Sequence, residues 1–123
     1  MPFASIRIIT DDVDRLVAFY ERVTGRTAAR PAPVFAQFGG TGPVLAIASP
    51  ATVAMLDGAV VPAANRSILV EFEVADVDAE FERLAPDPAD VVLPPSTMPW
   101  GNRSALLRDP DGNVVNLFSR PVG

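Results

Sequence analysis

The chain contains no cysteine, no histidine and no lysine. The first absence rules out disulfides, thiolate metal sites and a cysteine nucleophile. The second removes the commonest transition-metal ligand and the usual general base near neutral pH. The third leaves arginine as the only fixed side-chain cation: 10 arginines stand against 15 acidic residues, a net charge of −5. Those arginines are scattered, and without a basic run nothing neutralises phosphates, so no nucleic-acid partner is expected. The acidic balance mildly favours a cationic or neutral small ligand and otherwise serves solubility. No apolar run approaches the ~20 residues needed to span a bilayer, and the N-terminus has no basic stretch followed by a long apolar core. The expectation is a cytoplasmic protein with no membrane partner.

With 123 residues, 49% of them hydrophobic, the chain is long enough for one globular domain with a single core. Phe3 to Thr10 alternates as a strand, with Ile6 and Ile8 on one face and Ser5, Arg7 and Ile9 on the other; the Ile6–Ile8 face is expected to meet a helix. Asp11 and Asp12 offer an N-cap, and Val13, Leu16, Val17, Tyr20 and Val23 follow at helical spacing until Gly25 stops them. Val34 to Phe38 and Pro43 to Ala48 read as strands. The glycine-rich loop between them, residues 39–42, lacks the Lys and Ser/Thr of a phosphate-binding loop and leads into a strand rather than a helix. Pro50 to Asp57 predicts a short helix, and residues 58–65 an internal linker.

The pattern then starts over. Arg66 to Val74 reads as a strand, Asp76 as a helix cap, and Val77, Phe81 and Leu84 as an apolar stripe ended by Pro86 and Pro88. Asp12-Val13-Asp14 matches Asp76-Val77-Asp78, and Glu21-Arg22-Val23 matches Glu82-Arg83-Leu84. Two triplets in the same order, each pair bracketing a helix, indicate an internal duplication. Val91 to Leu93 reads as a short strand and residues 94–101 as a loop. Ser104 to Leu107 and Val114 to Phe118 then flank Asp109-Pro110-Asp111-Gly112-Asn113, a turn in which Pro110 sets φ, the aspartates bond the backbone ahead and Gly112 accepts positive φ. This is a β-hairpin closing a sheet.

Each half is thus close to βαβββ. Two helices cannot cover both faces of some eight strands, so the fold class is α+β, with helices on the outer face of curved mixed sheets and the other face open to a ligand or a second copy of the chain. Residues 1–123 form one domain, with modules at about 1–57 and 66–123.

The repeated unit resembles the vicinal oxygen chelate superfamily of glyoxalases, bleomycin-resistance proteins and extradiol dioxygenases. The likeness rests on Phe19-Tyr20 in the first helix, Val74-Ala75-Asp76-Val77-Asp78, Pro99-Trp100-Gly101-Asn102-Arg103 and Asp109-Pro110-Asp111-Gly112-Asn113. It covers nearly the whole chain through the order and spacing of these segments. It implies homodimers with pockets in the curved sheets and, in the metal-dependent members, four ligand positions that fall here on Ser5, Ala46, Leu69 and Asn116. A divalent ion of hard or borderline character needs carboxylates or imidazoles. A hydroxyl, a methyl, an isobutyl and a carboxamide do not supply them, so no metal and no cofactor are expected. The leading expectation is a metal-independent binder of a small organic molecule, resembling the bleomycin-resistance branch and its role in antibiotic resistance.

Strand parity names the remaining candidates. Arg7 shares the Ser5 face, Glu71 and Glu73 share the Leu69 face, and Phe118 shares the Asn116 face, with Gln37 joining if its strand has the parity read here. An apolar wall with a few polar anchors is the composition of a small-molecule pocket. Glu71 and Glu73 admit two readings: a general base or cation-recognising pair, in an isomerase or lyase where Arg7 or Asn116 steadies an oxyanion, or partners of Arg7 or another arginine. Their repulsion across one strand face would raise one pKa. Trp100 either stacks on a planar ligand or serves the fold. Asn116 either bonds a ligand or bonds its neighbours in place of the metal. Arg103 and Arg108 read as solvated strand-end charges. A degenerate partner or regulatory subunit is the third functional reading.

Overall fold

The computed structural model describes residues 1–121. They fall into two compact units, Met1–Ala64 and the residues from Asn65 on.

The first unit runs β1 (Ser5–Ile9), α1 (Val13–Thr24), β2 (Ala29–Ala32), β3 (Phe35–Phe38) and β4 (Val44–Ala48), followed by a 3₁₀ turn at Pro50–Leu56. Its four-stranded sheet has the order β1-β4-β3-β2, with β1 parallel to β4 and the other pairs antiparallel. Helix α1 starts where the sequence places it: Asp12 leaves the helical conformation and its Oδ1 accepts the Arg15 amide at 3.1 Å. Buried Thr10 braces the entry, its Oγ1 accepting the Asp12 amide at 3.2 Å. The helix stops at Gly25, whose φ of 67° is a left-handed cap cheap only for glycine. Leu16, Val17, Tyr20 and Val23 are buried as the stripe predicts, each contributing about 1.5–3 kcal/mol by leaving water.

The first strand turns its Ile6–Ile8 face to the helix side, as its alternation predicts, beside Leu45 and Ile47. Ile6 nonetheless stays 42% exposed, whereas Ile9, on the opposite face, is 6% exposed in a cluster with Ala48 and Val53, against which Phe35 packs. The reason is the 3₁₀ turn, which brings Val53 over that end of the sheet and gives the Ile9 face a cover of its own. Strand β2 has no counterpart in the sequence reading, because Ala-Arg-Pro-Ala carries neither alternation nor β-branched residues; it is an edge strand with an irregular register.

The second unit repeats the plan: β5 (Leu69–Glu73), α2 (Val77–Leu84), a 3₁₀ turn at Pro88–Asp90, β6 (Val91–Thr97), β7 (Arg103–Arg108) and β8 (Val114–Ser119). The order is β5-β8-β7-β6, with β5 parallel to β8. The Asp76 carboxylate accepts the Ala79 amide at 3.0 Å, matching Asp12 in the first unit. The duplication read from two triplets is therefore a duplication of topology and of capping chemistry. Strand β6 extends through Pro94 and Pro95 to Thr97, where the sequence reads a loop. It lies at the sheet edge and its register shifts twice, which is how a strand accommodates residues without amide hydrogens.

The β7–β8 turn is held by one buried carboxylate. Asp109, 3% exposed, accepts the amides of Asp111 and Asn113 on Oδ1, each at 2.9 Å, and the Asn113 side-chain amide on Oδ2 at 2.8 Å. Gly112 has φ 85°, and Asn65 Nδ2 donates to Asn113 Oδ1 at 3.4 Å, tying the start of the unit to the turn.

Candidate functional site

Register decides which side chains share a face. In the first unit, α1 packs over β3 and β4, on the face of Ala36 and Ile47. The opposite face carries Ser5, Arg7 and Ile9 from β1, Val44, Ala46 and Ala48 from β4, and Phe35 and Gln37 from β3. Gln37 has the expected parity, standing opposite Ala46, which stands opposite Arg7. Arg7 and Gln37 are exposed. Neither side chain makes a hydrogen bond or an ion pair within the described residues. Among the described strand arginines Arg7 is alone in this: Arg30 pairs with Asp14 at 2.7 Å, Arg103 with Asp78 at 2.8 Å, and Arg108 donates to the Gly112 carbonyl at 3.2 Å.

In the second unit, α2 packs over β6, β7 and β8, on the face of Ala105, Leu107, Val115 and Leu117, all buried. The opposite face carries Leu69, Glu71 and Glu73 from β5, Val114, Asn116 and Phe118 from β8, and Ser104 and Leu106 from β7. Glu71 stands opposite Asn116 and accepts its Nδ2 at 2.8 Å. The Oδ1 of the same amide is buried without a hydrogen bond, since turning it toward Glu71 would set two acceptors against each other. Glu73 pairs with Arg120 at 3.1 Å, and that guanidinium lies 5.5 Å from the centroid of the Phe118 ring. Of the two readings of Glu71 and Glu73, the geometry realises the one in which each meets a local partner, an amide for one and an arginine other than Arg7 for the other. Arg120 escaped the sequence reading although it continues the Asn116–Phe118 parity by one further step.

The four family positions occur as two equivalent pairs. Ser5 pairs with Val44, two residues before Ala46, and Leu69 pairs with Val114, two residues before Asn116. The matching offsets fix Ala46 as the counterpart of Asn116. The donor set is thus a hydroxyl, a methyl, an isobutyl and a carboxamide already committed to Glu71, which does not fit a divalent ion. Among the described residues no three His, Cys, Asp or Glu side chains gather where a metal ion could be held.

Trp100 is 69% exposed on the turn joining β6 and β7, which is closed by Met98 N–H donating to the Asn102 carbonyl at 2.7 Å; its ring is not part of the core. Arg103, the first residue of β7, is solvent-accessible as expected but not unpartnered. It projects from the helix face of β7 and grips Asp78 of α2 through Nε and Nη2, at 3.0 and 2.8 Å. This fork raises the Arg103 pKa and holds the Asp78 carboxyl below its ordinary 3.8.

Residues 3–117 match the family model of the glyoxalase/bleomycin resistance protein/dioxygenase superfamily. A glyoxalase/bleomycin resistance protein/dioxygenase from Nocardioides is 26% identical, with a TM-score of 0.76 over 100% of this chain and 85% of that one. TioX from Micromonospora sp. ML1 is 25% identical, with a TM-score of 0.68 over 99% of this chain and 100% of that one. A glyoxalase-related enzyme from Fulvimarina pelagi, 22% identical, shares the fold with a TM-score of 0.81 over 100% and 93%. No curated protein matches the chain.

Proposed function

Since the chain belongs to the glyoxalase/bleomycin resistance protein/dioxygenase superfamily, we propose that it is a metal-independent binding protein, which sequesters or carries a small organic molecule on its open sheet faces and works as a homodimer. The observation that carries this reading is the donor set at Ser5, Ala46, Leu69 and Asn116. With those residues there is no Lewis acid of the family kind to polarise a substrate oxygen, while the faces keep what recognition needs: apolar floor at Leu69, Leu106 and Phe118, and a few polar side chains standing on it.

The isomerase or lyase alternative asks Glu71 or Glu73 to act as a base. Both side chains are exposed, and each already accepts a hydrogen bond or ion pair. Neither has the dry, uncommitted setting in which a carboxylate takes a substrate proton. No helix among the described residues is long and apolar enough to cross a membrane.

The test is elemental analysis of the untagged protein together with native mass spectrometry. A metal-free dimer carrying an organic passenger is the expected result; a stoichiometric transition metal would overturn the reading.

A further inference from the structure

The internal duplication supplies its own control. Each unit sets a row of three residues across its open face at equivalent positions. In the second unit the row is Glu71, Asn116 and Leu106; in the first it is Arg7, Ala46 and Gln37. In the second row the central residue satisfies its charged neighbour, since Asn116 donates to Glu71 at 2.8 Å. In the first row the central residue is a methyl group that offers no acceptor, and among the described residues the polar groups on both sides of it have no hydrogen-bond or ion-pair partner.

Resting on the binding function above, we propose that Arg7 and Gln37 form a carboxylate-recognition subsite, taking the carboxylate of an organic ligand between them across Ala46. Strands lie about 4.8 Å apart, so the two side chains rise from points roughly 10 Å apart with only a methyl between. That gap admits one planar anionic group within reach of both arms. The guanidinium offers a donor fork that matches two carboxylate oxygens, and the Gln37 amide adds a third N–H from the far side. Both arms stand on paired strands rather than on a loop, so the spacing of their bases is fixed by the sheet. The net charge of −5 does not oppose this, because charges beyond about 8 Å are screened at physiological salt. No carboxylate shares the row with Arg7.

Three probes of one shape separate the charge requirement from apolar binding: benzoate, benzyl alcohol and benzylamine, titrated into the full-length protein while the Arg7 Nε–H and Gln37 side-chain amide resonances are followed by NMR. Benzoate is expected to shift both sets and to bind about tenfold more tightly than the alcohol, a preference that Arg7→Gln abolishes. Arg7 is exposed, so that variant should fold. Gln37→Leu, which keeps Arg7, should weaken benzoate and narrow its preference over benzyl alcohol without abolishing it. If all three bind alike, or if Arg7→Gln binds benzoate as the parent does, the subsite is overturned while the small-molecule reading stands. If none binds, and the purified protein carries no organic passenger, both fail together.

Discussion

Arg103 and Asp78 join strand β7 to helix α2 through two parallel hydrogen bonds of 3.0 and 2.8 Å. Both residues belong to motifs on which the family likeness rests, and the pair ties the first turn of α2 to the start of β7 at the solvent-exposed edge of a helix whose seat is the buried Val77 and Leu84.

That pair makes stability depend on acid. The fork lowers the folded-state pKa of Asp78 below 3.8, so its contribution is present above that value and is lost as the pH falls through the lower one. Thermal unfolding of the parent and of Asp78→Asn should therefore differ near neutral pH and converge below pH 3.8. A gap that stays constant with pH would show that the pair adds nothing electrostatic.

The Asp109 carboxylate organises the β7–β8 turn by accepting three hydrogen bonds. Asp109→Ala strips the partners from two amides and from the buried Asn113 side chain. A loss of about 2–4 kcal/mol is expected in denaturant titration, larger than for alanine at the exposed Asp57.

The two faces of β1 should respond unequally to truncation. Ile9→Ala empties a site in the Ala48–Val53 cluster and should cost about 2–4 kcal/mol. Ile6→Ala, at a side chain already 42% exposed, should cost less than about 1 kcal/mol. The opposite ranking in chemical denaturation would mean that the 3₁₀ turn does not cover Ile9 in solution.

A carboxylate at position 116 should recreate a problem rather than a metal site. In Asn116→Asp the donor to Glu71, 2.8 Å away in the parent, becomes a second anion, and the two carboxylates would share a proton with one pKa raised. A raised folded-state pKa means that the penalty is felt above it and relieved as the pH falls. The variant should lose stability against the parent near pH 7 and recover it in mild acid, and its affinity for added zinc should not rise.

The sequence by itself determined the repeat, both helices and their N-caps, the terminal hairpin and, at the four positions that the family likeness marks, side chains with few ligand atoms. These features are local: caps act within three residues, stripes recur every three or four, and a ligand atom that a side chain lacks is missing in any fold. Parity within a strand also placed Ser5, Arg7, Gln37, Glu71, Glu73, Asn116 and Phe118 on the open faces. Only the tertiary structure decided who meets whom. Glu71 is 45 residues from Asn116, and Glu73 is 47 from Arg120. Arg7 has no partner among the described residues, where β4 presents Ala46 beside it. Such pairings are set by strand order and register, which hydrogen bonding between distant segments fixes and no short window of residues contains.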